Sequence, residues 1–417
     1  MAPRMHALYT AMGSKQMSLC AVAPIAKCDA EHDFRTIDLD ASANTAPTAT
    51  VIEAVVDAMS ARCGNPSSPH ARGDRSREIL RSARDAVAGL VNGAFGEDVV
   101  LTSGCTEANN LVLHSFARRR ARIVTSAVEH PSILAAAARI ASDGGDVIVL
   151  PVARDGTLDL AALQKALRCG TGSMLVSIQA GNSETGVVQD LARIAEMVGD
   201  RKETTFHSDA AQAIGRMTIS MGHGVGPDLV TMSGHKLHAP MGVGALLVAS
   251  DTDEHVEPAL LGGEQERGLR AGTEAVPAIA GLAAAGREWL ECQTEHVDRL
   301  NRLRLDLERR LCEIPDVAIN GHGAARLPHV CSATFRGCDA MALVAQLDLH
   351  GVAASQGSAC SSRKPTPSHV LTAMGIGEAD AFSTIRLSLS IHNDEAQVAR
   401  AVEVIESVVR HIRRANP

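Results

Sequence analysis

Asp228-Leu-Val-Thr-Met-Ser-Gly-His-Lys236, followed closely by Gly242-Val-Gly-Ala-Leu-Leu-Val248, decides the fold. An apolar run that stops at serine, glycine, histidine and lysine reads as a buried strand opening into a turn. Working outward, runs of the same kind recur at Asp98-Val-Val-Leu-Thr102, Arg122-Ile-Val-Thr125, Asp146-Val-Ile-Val-Leu150, Ser173-Met-Leu-Val-Ser-Ile178 and Thr204-Thr-Phe-His207. Helix-length stretches separate most of them. The pattern predicts an α/β fold built on a mainly parallel seven-stranded sheet with helices on both faces. Ligands of such sheets collect beyond the carboxyl ends of the strands.

The chain has 417 residues, more than one usual core, so a second, smaller domain is expected. After a helical stretch near 275–313, the runs Ser332-Ala-Thr-Phe335, Val352-Ala-Ala-Ser355 and Thr384-Ile-Arg-Leu-Ser-Leu389 alternate with helices near 339–350 and 394–413. Asn393 is placed to cap the last helix, with Asp394 and Glu395 near its positive end. This reading divides the chain into a large domain over 50–285 and a small α/β domain from 36–49 together with 286–417. Residues 1–35 read as a poorly ordered leader. Their basic residues Arg4, Lys15 and Lys27, with no acid before Asp29, also suit a transit peptide, but arginine is sparse and no helical stripe is present.

A net charge of −8 and an aromatic content of 2% leave neither the basic footprint nor the stacking platform that nucleic acid requires. No apolar run reaches the ~18 residues that cross a bilayer. Ten cysteines without a Cys-x-x-Cys pair give no zinc or redox motif. They read as reduced thiols of a cytoplasmic protein, most of them buried.

Three further segments fall at strand ends. Thr102-Ser-Gly-Cys-Thr-Glu-Ala-Asn-Asn110 opens a helix whose free amides suit a phosphate, although a plainly capped helix reads the same way. Phe206-His-Ser-Asp-Ala-Ala-Gln212 sends Asp209 toward the same crevice, either as a helix cap or as the partner of a buried cation. Ser126-Ala-Val-Glu-His-Pro131 puts His130 in a turn. Both nucleotide fingerprints fail, since no Walker lysine is present and Gly242-x-Gly244 runs into a strand. Lys236, Asp209, His130 and the phosphate cradle together point to pyridoxal 5'-phosphate held through the lysine.

Those segments, with Ser183-Glu-Thr-Gly186, Gln265-Glu-Arg-Gly-Leu-Arg-Ala-Gly-Thr273, Gly357-Ser-Ala-Cys360 and Ile385-Arg-Leu-Ser388, are similar in kind and order to the NifS/IscS-type cysteine desulfurases. These are class V aminotransferases of the fold-type I pyridoxal phosphate group. The resemblance implies that Lys236 binds the cofactor and removes the substrate α-proton, while Asp209 pairs with the pyridine nitrogen. It implies that His130 stacks on the ring and shuttles protons, and that Gln212 meets the phenolic oxygen. Phosphate contacts would come from the Cys105 amide, Thr106, Ser233, His235 and, from a neighbouring subunit, Thr273, which makes a homodimer the expectation. Arg386 would hold the carboxylate of L-cysteine, with Asn44 nearby. Arg386 in a structural ion pair is the simpler alternative. Cys360, in a loop rich in Gly, Ser and Pro near Arg363 and Lys364, would receive the sulfur as a persulfide and pass it to a protein acceptor.

Some positions depart from the family pattern. Ser183 stands where an asparagine usually meets the phenolic oxygen, so either Ser183 or Asn182 takes that part. Glu264 and Ala239 replace glycines, and Ala43-Asn44-Thr45-Ala46-Pro47 replaces an Ala-Thr-Thr-Pro segment. Gly64-Asn-Pro-Ser-Ser-Pro69 is also similar to selenocysteine lyases, which makes release of selenium the alternative activity. A scaffold that binds sulfur-transfer partners without turnover is a further alternative, against which the intact Lys236, Asp209, His130, Cys360 and Arg386 argue.

Overall fold

A computed structural model describes residues 36–60, 63–169, 172–199, 201, 203–249, 256–357 and 366–415. The leader 1–35 and Cys360 lie outside the described residues. The strands are β1 (Ile37–Asp38), β2 (Val99–Thr102), β3 (Arg122–Ser126), β4 (Val147–Leu150), β5 (Met174–Ser177), β6 (Thr204–Asp209) and β7 (Leu229–Ser233). They continue with β8 (Gly244–Val248), β9 (Val317–Ile319), β10 (Val330–Phe335), β11 (Val352–Ala353), β12 (Ser355–Gln356) and β13 (Thr384–Ser388).

All seven strand runs read from the sequence enter one sheet, in the order β2-β8-β7-β6-β5-β3-β4. Its pairs are parallel except where β8 meets β2 and β7. β5, β6 and β7 are buried at every residue, as expected where helices cover both faces. Polar residues inside β6 are tolerated because they find partners. His207 Nδ1 meets Ser177 Oγ at 2.9 Å and its Nε2 meets Thr231 Oγ1 at 3.2 Å. Burial pushes the His207 imidazole down to about 4, so it stays neutral.

The reversed direction of β8 brings its first residue to the functional edge. Gly244 lies in register with Thr102 at the end of β2 and with Ser233 at the end of β7. A Cβ at Gly244 would fall 2.5 Å from the Met232 carbonyl oxygen and 2.6 Å from Gly104 Cα. Its absence lets the chain turn from β2 into the helix Cys105–Arg118 directly above β7.

The helix Val276–Leu311 begins with proline in its first turn and packs against the helices Ala49–Ser60 and Ala71–Gly89, with Gly281 facing Val55 and Gly286 facing Ala86. It leads into an antiparallel sheet of order β12-β13-β10-β9. β1 pairs in parallel with β11, and Asp40 bridges Ser388, so the segment before the first helix joins the C-terminal strands. The helices near 339–350 and 394–413 are found at Ala340–Leu349 and Glu395–Ala415.

Two expectations are corrected. Asp394, not Asn393, caps the last helix, accepting from the Gln397 amide at 2.8 Å. The Asn393 side chain instead closes a turn through the Ser390 amide and reaches the Asp38 carbonyl. Nor are most of the described cysteines buried. Cys105, Cys331 and Cys338 are, whereas Cys169 and Cys312 are exposed where helices end at the surface.

Candidate active site

Strand ends and loops on one edge of the large sheet enclose a cavity of about 330 Å³. β7 delivers Ser233 and then a single helical turn, Gly234–Lys236, whose last residue enters the cavity. Lys236 Nζ donates to the carbonyls of Ser42 and Ala43. Burial, reinforced by the charges of Arg386 and Arg216, lowers its ammonium to about 8, so a neutral amine is accessible near physiological pH. Arg216, itself buried against the Trp289 ring, donates to the Lys236 carbonyl and fixes this turn from behind.

β6 ends on Asp209, which is buried and lines the same cavity. Asp209 Oδ1 accepts from the Ala211 amide at 3.0 Å and the Cys105 thiol at 3.3 Å, and Oδ2 accepts from Asn109 at 2.7 Å. The turn after β3 presents His130, which caps the helix Pro131–Ser142. His130 Nδ1 accepts from the Ser132 amide at 3.1 Å. Burial lowers the pKa of this imidazole, Lys236 and His369 press the same way, and Asp209 opposes them.

The helix starting at Cys105 contributes Cys105 and Thr106 to the wall, with Gly104 before it at φ +155°. The Cys105 amide donates to Ser233 Oγ at 3.1 Å. Its thiol is pushed well up by burial and then by Asp209, so it is a neutral donor. His235 also lines the wall, and burial next to Lys236 lowers its imidazole to about 4. Gln212 is locked by the Ser42 carbonyl at 2.9 Å and by His329 at 3.2 Å.

Arg386, from the middle of β13, is almost fully buried and forms an ion pair with Asp40 at 2.7 Å. It also donates to the Ser183 carbonyl at 3.3 Å, while its Nε is buried without a partner. Ser183 lines the cavity. Asn182 does not: its side chain holds the Val128 carbonyl and the amides of Glu184 and Thr185. Asn44 stands beside the cavity-lining Ala43, its Oδ1 buried and unpartnered. Thr273 is exposed and outside this chain's cavity lining.

Sequence reasoning missed several neighbours. Asp40 faces Arg386, and nothing in its own segment signals that pairing. Asn109 sits inside the quoted Thr102–Asn110 segment, one helical turn past Cys105, so helical spacing places both on one face. Glu184 lies in the quoted Ser183-Glu-Thr-Gly186, is buried in the cavity wall, and accepts from Ser368 Oγ at 2.5 Å. Burial raises its carboxyl pKa.

A chain built this way fits a phosphorylated pyridine aldehyde. It supplies an amine of lowered basicity, a buried acid on a neighbouring strand end, an imidazole in the wall, and a helix start with threonine and serine hydroxyls beside it. Among the described residues no group of His, Cys, Asp and Glu is arranged to hold a metal ion, and no helix is long and apolar enough to cross a membrane.

Residues 37–401 match the family described as aminotransferase class-V. The chain is 37% identical to a protein named cysteine desulfurase IscS 1 from Archaeoglobus fulgidus, over 88% of this chain and 95% of that one. A NifS-like protein of known structure from Rickettsia africae superposes with a TM-score of 0.81 at 33% identity, over 90% of this chain and 99% of that one. A structure described as SspA in complex with cysteine superposes with a TM-score of 0.74 at 30% identity, over 84% and 98% of the two chains.

Proposed function

The chain belongs to the class V aminotransferase family, as a pyridoxal phosphate–dependent cysteine desulfurase, and we propose how its residues divide that work. The observation that carries the assignment is the meeting of Lys236, Asp209 and Arg386 in one cavity. It is a lowered amine, a buried acid and a buried guanidinium, brought there from three strands.

When bound, pyridoxal phosphate supplies an electron sink for the carbanion at the substrate Cα. Lys236 is the residue that would hold it. Asp209 would face the ring nitrogen, and His130 the ring plane. Thr106, Ser233, His235 and the start of the helix at Cys105 would hold the phosphate. Gln212 and Ser183 would reach the phenolic oxygen, a reading supported by Ser183 lining the cavity while the Asn182 side chain is engaged elsewhere.

Arg386 binds the carboxylate of L-cysteine, with Asn44 at the edge, and orients Cα toward Lys236. Lys236 Nζ, neutral above about pH 8, takes the α-proton. The Cys360 thiolate then attacks the substrate sulfur. An S–S bond forms, the Cβ–S bond breaks with its electron pair left on Cβ, Cβ takes a proton, and Lys236 returns the α-proton to Cα. The products are alanine and a persulfide on Cys360, with no external oxidant or reductant.

The proposal extends to a homodimer in which Thr273 completes the phosphate site of a second copy, and to a protein that accepts the persulfide sulfur. It takes the cytoplasm as the compartment and 50–285 and 36–49 with 286–417 as the two domains. Quantifying alanine from L-cysteine and from L-selenocysteine tests the activity. Turnover of cysteine supports it, and turnover of selenocysteine alone would favour the lyase alternative.

A further inference from the structure

We propose that Asn109 is a positioning residue that couples Asp209 to His130, fixing the orientation of the acid and the tautomer of the imidazole together. It is fully buried on the helix Cys105–Arg118 and belongs to neither the strand of Asp209 nor the turn of His130.

A carboxamide has two N–H bonds and one carbonyl oxygen to place, and all are used. Asn109 Nδ2 donates to Asp209 Oδ2 at 2.7 Å and to Ser132 Oγ at 2.8 Å. Asn109 Oδ1 accepts from Thr231 Oγ1 at 2.6 Å. The amide cannot be turned over, because its oxygen would then face the Asp209 carboxylate. Thr231 is held in turn by His207 Nε2 at 3.2 Å, and a neutral His207 supplies the proton for that bond.

Ser132 continues the relay. Its oxygen receives the Asn109 proton, so its own hydroxyl proton goes to His130 Nδ1 at 2.8 Å. The Ser132 amide donates to the same nitrogen. With two donors on Nδ1, the single proton of the neutral ring sits on Nε2. Protonating Nδ1 would break both bonds, in the same direction as the lowering of this imidazole by its surroundings. The charged or titratable groups facing His130 are Asp209 at the end of β6, Lys236 after β7 and His369 at the start of the helix His369–Ala373. Only Asp209 favours the protonated ring, and Asn109 occupies one of its oxygens.

The inference rests on reading Asp209 and His130 as cofactor contacts, but its test does not depend on turnover. Histidine labelled at its ring nitrogens is incorporated into the full-length holoenzyme, and the tautomer and titration of His130 are read by NMR without substrate. The expected wild-type result is a proton on Nε2 alone.

In Asn109→Asp the Ser132 hydroxyl turns to the new carboxylate, and in Ser132→Ala it is gone. Both variants are expected to raise the His130 titration by roughly one pH unit, a ~10-fold change in the protonation equilibrium. In both, kcat should fall more than KM rises. A wild-type proton on Nδ1 overturns the proposal whether or not the variants fold. Folded variants with unchanged His130 titration overturn it too, because a purely structural Asn109 would alter stability alone. Absence of alanine formation, by contrast, would count against the desulfurase assignment and leave the tautomer result standing.

Discussion

The guanidinium of Arg386, in the cavity wall, lies 2.7 Å from the carboxylate of Asp40, although 346 residues separate them in the chain. Asp40 follows β1, which joins the C-terminal strands, so the pair links the two ends of the described chain at the site. In the proposed function the same fork also meets a substrate carboxylate, and Nη1, held only by the 3.3 Å bond to the Ser183 carbonyl, is the nitrogen placed to change partners.

Replacing Arg386 with lysine keeps the charge and removes the fork. Loss of a charge-assisted bidentate contact is expected to lower kcat/KM for L-cysteine by at least ~10-fold, about 1.5–3 kcal/mol, mostly through KM. Steady-state alanine formation measures it. An unchanged KM would mean that Arg386 serves Asp40 alone.

Lys236 carries a pH signature that does not involve turnover. Its folded value of about 8 lies below the ordinary 10.5, chiefly through burial. Between those limits the unfolded chain holds a proton that the folded lysine has lost, so this group makes stability rise with pH. Below about pH 8 its destabilising contribution is fully present, and it fades toward 10.5. Lys236→Met is therefore expected to be more stable than the cofactor-free wild type at neutral pH, with the gap closing above pH 8. Urea denaturation across that range decides it; a gap that stays constant contradicts the lowered lysine.

Gly357 immediately precedes the segment that carries Cys360. A Cβ there would lie 2.4 Å from Glu184 Oε2, the oxygen that also accepts from Ser368 on the far side of that segment. Gly357→Ala is expected to destabilise the protein by ~1–3 kcal/mol through overpacking. Persulfide formation should slow more than cofactor binding, as seen by comparing trapped persulfide with the absorbance of the lysine-bound cofactor. Wild-type values for both would show that Glu184 yields without consequence.

Gly244→Ala sets a contrast at the other wall. The added carbon would push against Gly104 Cα and the Met232 carbonyl, where the helix at Cys105 begins. Cofactor retention on gel filtration is expected to fall. Retention equal to wild type would argue against the phosphate cradle at that helix start.

Much of the site was legible because it follows local rules. Seven apolar runs became seven strands of one sheet, and Lys236, Asp209 and His130 stand where such strands end. Glycine marked the turn at Lys236 and proline the turn at His130, while Asp209 was marked only by the end of its apolar run. The partnerships were not legible. Asp40 with Arg386, Asn109 with Asp209 and Ser132, and Glu184 with Ser368 are set by which elements the fold brings side by side, and single side chains carry no sign of a distant partner. The cap on the last helix was misread by one residue because Asn393 and Asp394 are both good caps. The turn made by Asn393 with Ser390 decides between them.

The most direct test of the account is the mass of the Cys360 peptide after the holoenzyme meets L-cysteine under non-reducing conditions. The account predicts that this peptide gains one sulfur atom, in step with one alanine released. It also predicts that Cys360→Ala makes neither product with L-cysteine. Alanine released with an unmodified Cys360 peptide, or full activity in the Cys360→Ala variant, would contradict it.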